Sequence, residues 1–188
     1  ADQSYCVLMT GHKLSDDTKL RMETMVRTTD GFEIAEAGLE AGIAALEIGV
    51  SEREIAAEIE FTMRKMGSEG SGIDTIVGFG KTNTFPILTR TTMNTLKKGD
   101  LALLTVAPRY EGYHGVIARP VSMGPAPQEV RFAIDAAIAA SNASEAQLKV
   151  GAIGRDISGA GLAVLRKAGL IDLCVYSGIH SVGTSEFE

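Results

Sequence analysis

A repeated segment constrains the fold of this chain more than any other feature of its sequence. The stretch 46–67 recurs as 148–169, at an offset of 102 residues. From Gly49 to Gly67, six of nineteen positions are identical in the two copies, whereas ordinary residue usage gives about one match. Each copy has the pattern of two helices joined by a turn, then Arg-Lys, a glycine and a strand. The repeat predicts two similar α/β halves related by pseudosymmetry, with a ligand site between them.

Two helices are predicted around the first copy. Apolar residues lie at helical spacing between 30 and 46 and predict an amphipathic helix. The apolar stripe consists of Phe32, Ala35, Leu39, Ile43 and Leu46. A second helix is predicted from Ser51 to about Met66, because Ser51 followed three residues later by Glu54 is a capping box.

A β-hairpin is predicted between the two copies. Residues 101–107 form an apolar run typical of a buried strand, and Tyr-Glu-Gly-Tyr at 110–113 predicts a turn into a second strand at 117–122. Before the hairpin, a short strand is predicted at 73–79, followed by a threonine-rich loop at 81–95.

The second copy predicts a further pair of helices. Pro125 and Pro127 interrupt the chain before an alanine-rich run, which predicts a helix over 128–148. A helix over 156–168 and a strand over 171–176 are predicted to follow.

Composition limits the class of protein. The chain has 188 residues, 45% of them hydrophobic, and a formal net charge of −6 with scattered Lys and Arg. This balance argues against a nucleic-acid or anionic-membrane partner. Only Cys6 and Cys174 are present, far apart, and the apolar runs are too short to cross a bilayer. We therefore predict a cytoplasmic, reduced protein.

Several motifs together resemble one known family. The segments LKKGDLALL, YEGY, the Ile-x-Arg at the hairpin end and Gly178-Ile179-His180-Ser181-Val182-Gly183 resemble the pita-bread fold of methionine aminopeptidase, aminopeptidase P, prolidase and creatinase. The resemblance covers 29–188 and leaves 1–28 as a residual N-terminal segment or linker. It implies an α+β pita-bread domain of two pseudosymmetric halves, which lacks its last strands and is incomplete at the C-terminus.

The same resemblance implies a changed metal site. Peptidases of this family hold a pair of divalent metals on carboxylates and a histidine, and here Thr105 and Val116 occupy the two aspartate positions of the hairpin. His180 matches the histidine ligand. Leu88 or a neighbour, and Phe187, occupy the positions of two auxiliary histidines. A neutral site cannot offset the dehydration of a divalent cation, so we predict neither a metal nor another cofactor.

Five residues remain as candidates for chemistry or binding. His114 and His180 are predicted catalytic groups, and Thr105, Tyr113 and Arg119 are predicted substrate contacts. Three of them have a structural alternative: His114 a surface residue near the turn, His180 a core histidine, and Arg119 the partner of a carboxylate.

Two functions of different kinds fit these residues. One is a metal-independent hydrolase of the aminopeptidase P or creatinase type, acting on a small C–N bonded substrate such as a peptide. The other is a non-catalytic pita-bread module that binds a peptide or protein partner. A true metallopeptidase ranks third. The resemblance also leads us to expect a homodimer.

Overall fold

Two separately packed units make up the described chain. The computed structural model describes residues 30–81, 83–84 and 90–175. One unit contains the described residues up to Pro125, and the other contains the described residues from Ala126 onward.

Two helices open the first unit. Helix α1 spans Asp30–Ala44 and helix α2 spans Glu52–Lys65. The predicted capping box is confirmed, because the Glu54 N–H donates to Ser51 Oγ at 3.3 Å and the Ser51 N–H donates to Glu54 Oε2 at 2.8 Å. These bonds satisfy N–H groups that a helix start leaves unpaired.

Two antiparallel sheets follow. The main sheet has the order β2-β3-β6, with β2 at Ile76–Phe79, β3 at Leu101–Val106 and β6 at Ile117–Ser122. A smaller sheet has the order β1-β4-β5, from Gly70–Ser71, Pro108–Tyr110 and Tyr113–His114. The predicted hairpin is confirmed, with its turn at Glu111 and Gly112.

The core lies between the main sheet and the two helices. Alternate residues of β2 and β3 are completely buried, as the two-residue period of a strand requires. These residues are Val77, Phe79, Ala102, Leu104 and Val106, and they pack in one cluster with Ile34, Leu39, Ile55, Ile59 and Met63 of the helices.

The predicted apolar stripe of α1 is partly wrong. Phe32 and Ile43 are exposed, and the buried face of α1 instead includes Gly38 and Gly42. A Cβ at Gly42 would lie 2.7 Å from Ile59 Cγ1 and 2.9 Å from Leu104 Cδ2. The absence of side chains at these two positions lets α1 approach α2 and the sheet closely, which rotates the buried face away from Phe32.

The second unit is a helical hairpin. Helix α3 spans Gln128–Glu145 and helix α4 spans Gly154–Lys167. Helix α4 begins and ends 102 residues after α2, in agreement with the repeat. The two helices of this unit meet closely at Gly161, where a Cβ would lie 2.5 Å from Ser144 Oγ.

The strand predicted at 171–176 is wrong for the residues described. Ile171–Leu173 form a 3₁₀ helix, in which the Leu173 N–H donates to the Leu170 carbonyl oxygen at 3.1 Å. A short apolar run does not by itself distinguish a strand from a helical turn. Tyr176 lies outside the described residues.

Within the part of the chain that the structure describes, no helix combines the length and the apolar composition needed to cross a membrane.

Candidate functional site

The main sheet has a face turned away from α1 and α2. Ala102, Leu104 and Val106 point toward those helices, so Leu103 and Thr105 point the opposite way. Thr105 is paired with Ala118 of β6. We call the side marked by Leu103, Thr105 and Ala118 the distal face.

Thr105 brings an unsatisfied polar group to the distal face. Its side chain is buried, with 5% of the residue exposed, and its Oγ1 has no hydrogen-bond partner among the described residues. Buried hydroxyls are usually hydrogen-bonded, so an orphaned one marks a position where a ligand or a water can bind.

His114 lies on the same side of the hairpin as Thr105. It is the Cα partner of Arg109, whose neighbour Tyr110 packs against the core. Side chains alternate along a strand, so Arg109 and His114 face the distal side. The imidazole lies directly over Gly72, where a Cβ would be 2.6 Å from its ring. Its Nδ1 is buried and has no partner in the described part of the chain.

The environment of His114 favours its neutral form. Burial lowers the pKa of the imidazole, and the nearby positive charge of Arg109 lowers it further. Arg109 is held by an ion pair between its Nε and Glu69 Oε2 at 3.4 Å. A neutral imidazole with a free nitrogen can accept a proton or a hydrogen bond near pH 7.

His114 and Val116 do not lie in one continuous strand. Gly115 and Val116 lie in a break between β5 and β6, and at this break Gly115 lies against α1, since a Cβ at Gly115 would be 2.7 Å from the Gly31 carbonyl oxygen. The register is nevertheless continuous across the break, since Arg109 pairs with His114 and Val106 with Ile117.

Two of the predicted substrate contacts lie away from the distal face. Tyr113 pairs with Tyr110 and therefore points to the opposite side from His114. Arg119 pairs with Leu104, is exposed, and donates from Nη1 to the Ala118 carbonyl oxygen at 2.8 Å. Among the described residues it forms no ion pair, so the carboxylate partner of its structural alternative is not found there. His180, Leu88 and Phe187 lie outside the described residues.

The residues of the hairpin do not fit a pair of divalent metals. Thr105 offers a neutral hydroxyl and Val116 offers no donor, whereas two adjacent cations need anionic ligands between them. Over 30–81, 83–84 and 90–175, no group of three or more His, Cys, Asp or Glu side chains could hold a metal ion.

Gly72 and Arg109 are site residues that sequence reasoning missed. Both contact or face His114 only because β1 and β5 are brought to β4. No motif marks them. They come to lie beside His114 through the pairing of β1, β4 and β5, which exists only once the hairpin has folded.

Replacing Gly72 with alanine is expected to displace the His114 ring. The new methyl group would lie 2.6 Å from the ring, which is closer than carbon atoms pack, so the imidazole must move toward water. An NMR pH titration should then give a pKa for His114 higher than in the wild type.

The matched control is Gly159→Ala, because a Cβ at Gly159 in α4 meets no atom of the described residues within 4 Å. It should leave the His114 titration unchanged. A His114 titration identical in Gly72→Ala and the wild type would contradict the described packing.

Comparison with known proteins identifies the family of this chain. The family model described as "Metallopeptidase family M24" matches residues 29–188. The curated protein "Putative dipeptidase YkvY" of Bacillus subtilis is 30% identical over 179 residues, which cover 93% of this chain and 47% of that protein. The "Xaa-Pro dipeptidase" of Pyrococcus furiosus is 25% identical over 151 residues, covering 80% of this chain and 43% of that protein.

Solved structures give the same result for the fold. The Xaa-Pro dipeptidase from Bacillus anthracis superposes with a TM-score of 0.83 at 25% identity, covering 90% of this chain and 49% of that one. The X-Pro aminopeptidase from Thermotoga maritima gives a TM-score of 0.79 at 26% identity, with coverage of 90% and 49%. The chain therefore has the α+β pita-bread fold that the sequence resemblance predicts, and it spans about half the length of these relatives.

Proposed function

Because the chain belongs to metallopeptidase family M24, we propose that it is a hydrolase acting on a short peptide or another small C–N bonded substrate, without a metal pair held by the hairpin. The proposal rests on two buried polar atoms of one face, the Thr105 hydroxyl oxygen and the His114 Nδ1. Neither has a hydrogen-bond partner among the described residues. Two unsatisfied groups on one face suit a small polar substrate.

His114 is the proton acceptor of the proposed reaction. Its lowered pKa keeps it neutral near pH 7, which is the form a general base requires. The Thr105 hydroxyl is suited to donate a hydrogen bond to a substrate oxygen, and Leu103 supplies an apolar surface beside it. His180 remains a predicted second proton-transfer group.

A non-catalytic module that binds a peptide or protein partner is the second candidate. The observation in its favour is that Thr105 and Val116 supply no charge to polarise a scissile bond. Turnover separates the two candidates, because a binding module takes up a peptide but releases it intact. A homodimeric assembly is compatible with either candidate and stays a prediction.

Turnover of Xaa-Pro dipeptides and of creatine by the wild-type chain tests the proposal. We expect hydrolysis that persists in the presence of EDTA. Replacing His114 with alanine should lower kcat by about 10²–10⁴-fold, the contribution of a positioned acid–base group. Mass-spectrometric detection of the products measures both rates.

Phe61→Ala is the control, because Phe61 is an exposed residue of α2 remote from the chemistry proposed here. It should retain the wild-type rate. Equal kcat for His114→Ala and the wild type would remove His114 from the mechanism. Calorimetric binding of a dipeptide without any product would favour the binding module instead.

A further inference from the structure

Side chains form hydrogen bonds with the backbone groups on the free edge of β2, which is the edge that faces away from β3. We call an edge satisfied in this way closed. Among the described residues, strand β2 pairs with another strand, β3, on one side only. On its other side, the Val77 N–H donates to Thr91 Oγ1 at 3.0 Å, and that hydroxyl donates to the Thr75 carbonyl oxygen at 2.8 Å. At Phe79, the N–H donates to Glu52 Oε1 at 2.9 Å, and the carbonyl oxygen accepts from Asn94 Nδ2 at 3.1 Å. Unpaired edge groups of this kind otherwise invite pairing with another strand.

The Glu52 carboxylate links this edge to the segment that covers it. Besides Phe79, it accepts hydrogen bonds from the Thr92 N–H at 2.8 Å, the Thr92 hydroxyl at 2.7 Å and Asn94 Nδ2 at 3.1 Å. It also accepts from Asn83 Nδ2 at 2.7 Å. One side chain of α2 thus bonds to β2 and to Asn83, Thr92 and Asn94.

Within the described part of the chain, Glu52 is held as a buried anion by hydrogen bonds. The residue is completely buried, and no cationic side chain among the described residues forms an ion pair with it. Burial raises the pKa of the carboxyl, but the hydrogen bonds from Asn83, Thr92 and Phe79 outweigh burial and leave the pKa below its ordinary value. Hydrogen bonds to an ionised acceptor are the stronger ones, so this carboxylate can organise several donors at once.

We propose that Glu52 is a positioning residue that keeps the free edge of β2 closed by fixing residues 92–94 against it. Thr91 accepts the hydrogen bond from the Val77 N–H. Because it directly precedes Thr92 in sequence, fixing Thr92 also positions Thr91. Without the carboxylate, the Phe79 N–H loses its acceptor and Thr92 loses both of its hydrogen bonds to α2, so that the segment is held at Asn94 by the bond from the Glu52 N–H to the Asn94 carbonyl oxygen at 3.0 Å. The role is independent of the hydrolase proposed above, since it involves neither Thr105 nor His114.

Amide hydrogen exchange of the full chain tests this role. In Glu52→Gln, one acceptor oxygen becomes an NH₂ group. This donor then faces the Nδ2 donors of Asn83 and Asn94, with which it cannot form a hydrogen bond. We expect the Phe79 and Val77 amides to exchange at least about tenfold faster than in the wild type, as in a local opening, while the Ala102 and Leu104 amides of β3 change little. Glu54→Gln is the matched control, because Glu54 lies in the same turn of α2 but its carboxylate bonds, among the described residues, only to Ser51, and it should leave both β2 amides unchanged.

A second variant covers the case in which Glu52→Gln does not fold. Thr92→Val removes one hydroxyl donor and retains the carboxylate, so Phe79 and Val77 should again exchange faster than the β3 amides. Unchanged exchange at Phe79 in a folded variant would overturn the proposal. So would equal acceleration at Phe79 and Leu104, because the effect would then be global unfolding rather than opening of one edge.

Discussion

Replacing Phe79 with alanine is expected to lower the free energy of unfolding by about 3–5 kcal/mol. The side chain of Phe79 is completely buried between the main sheet and the helices, where it belongs to the central hydrophobic cluster. The substitution removes the apolar surface of the ring and leaves a cavity that rigid neighbours on β3 and α2 cannot fill. Equilibrium unfolding in urea measures the loss, which is a large fraction of the total stability of an ordinary domain.

Phe61→Ala is the matched control for this substitution. Phe61 is 62% exposed on α2, with Lys65 Nζ 5.9 Å from its ring centroid. The cation–π contact at an exposed site is worth about 0.5–1 kcal/mol, so the control should lose no more than that. Similar losses in the two variants would contradict the position of Phe79 in the core.

Replacing Gly115 with alanine is expected to cost about 1–3 kcal/mol, the usual penalty for overpacking. The new Cβ would lie 2.7 Å from the Gly31 carbonyl oxygen and 2.9 Å from the Gly31 carbonyl carbon. These are backbone atoms of α1, so relief requires a shift of the helix or of the break between β5 and β6. Thermal and urea unfolding measure the cost.

Gly31→Ala tests the same contact from the opposite side. Among the described residues, a Cβ at Gly31 meets only the Gly115 nitrogen, at 3.9 Å, which is ordinary van der Waals contact. Because alanine has a higher helix propensity than glycine, this variant should be at least as stable as the wild type. A stable Gly115→Ala protein would show that α1 and the hairpin are not in tight contact.

Local signals predicted the helices and the hairpin well. The Ser51 capping box and the glycine-containing turn at 111–112 act through neighbours in sequence, so the residues alone carry the information. The buried face of α1 was mispredicted because periodicity counts apolar side chains, and Gly38 and Gly42 have none. Their importance depends on Ile59 and Leu104, which only folding brings near.

The polar groups were harder to predict for the same reason. Glu54 was identified from its spacing to Ser51, whereas Glu52 bonds to donors 27 to 42 residues away and carries no local signal. The family resemblance, rather than a local signal, points to Thr105, His114 and Arg119, and Thr105 and His114 share one face. The alternation of side chains turns Arg119 and Tyr113 away from that face.

The two copies of the repeat control the start of the same helix by different means. At α2, Ser51 supplies a side-chain cap, while at α4 the equivalent position is Ile153 and no side chain caps the helix. Asp156 stands where Glu54 does, so an acidic group near the helix start is retained although its hydroxyl partner is gone. Helix α4 packs closely with α3 at Gly161, where a Cβ would lie 2.5 Å from Ser144 Oγ. The signal for the start of α2 is therefore local to its own sequence, whereas α4 has the same length without that signal.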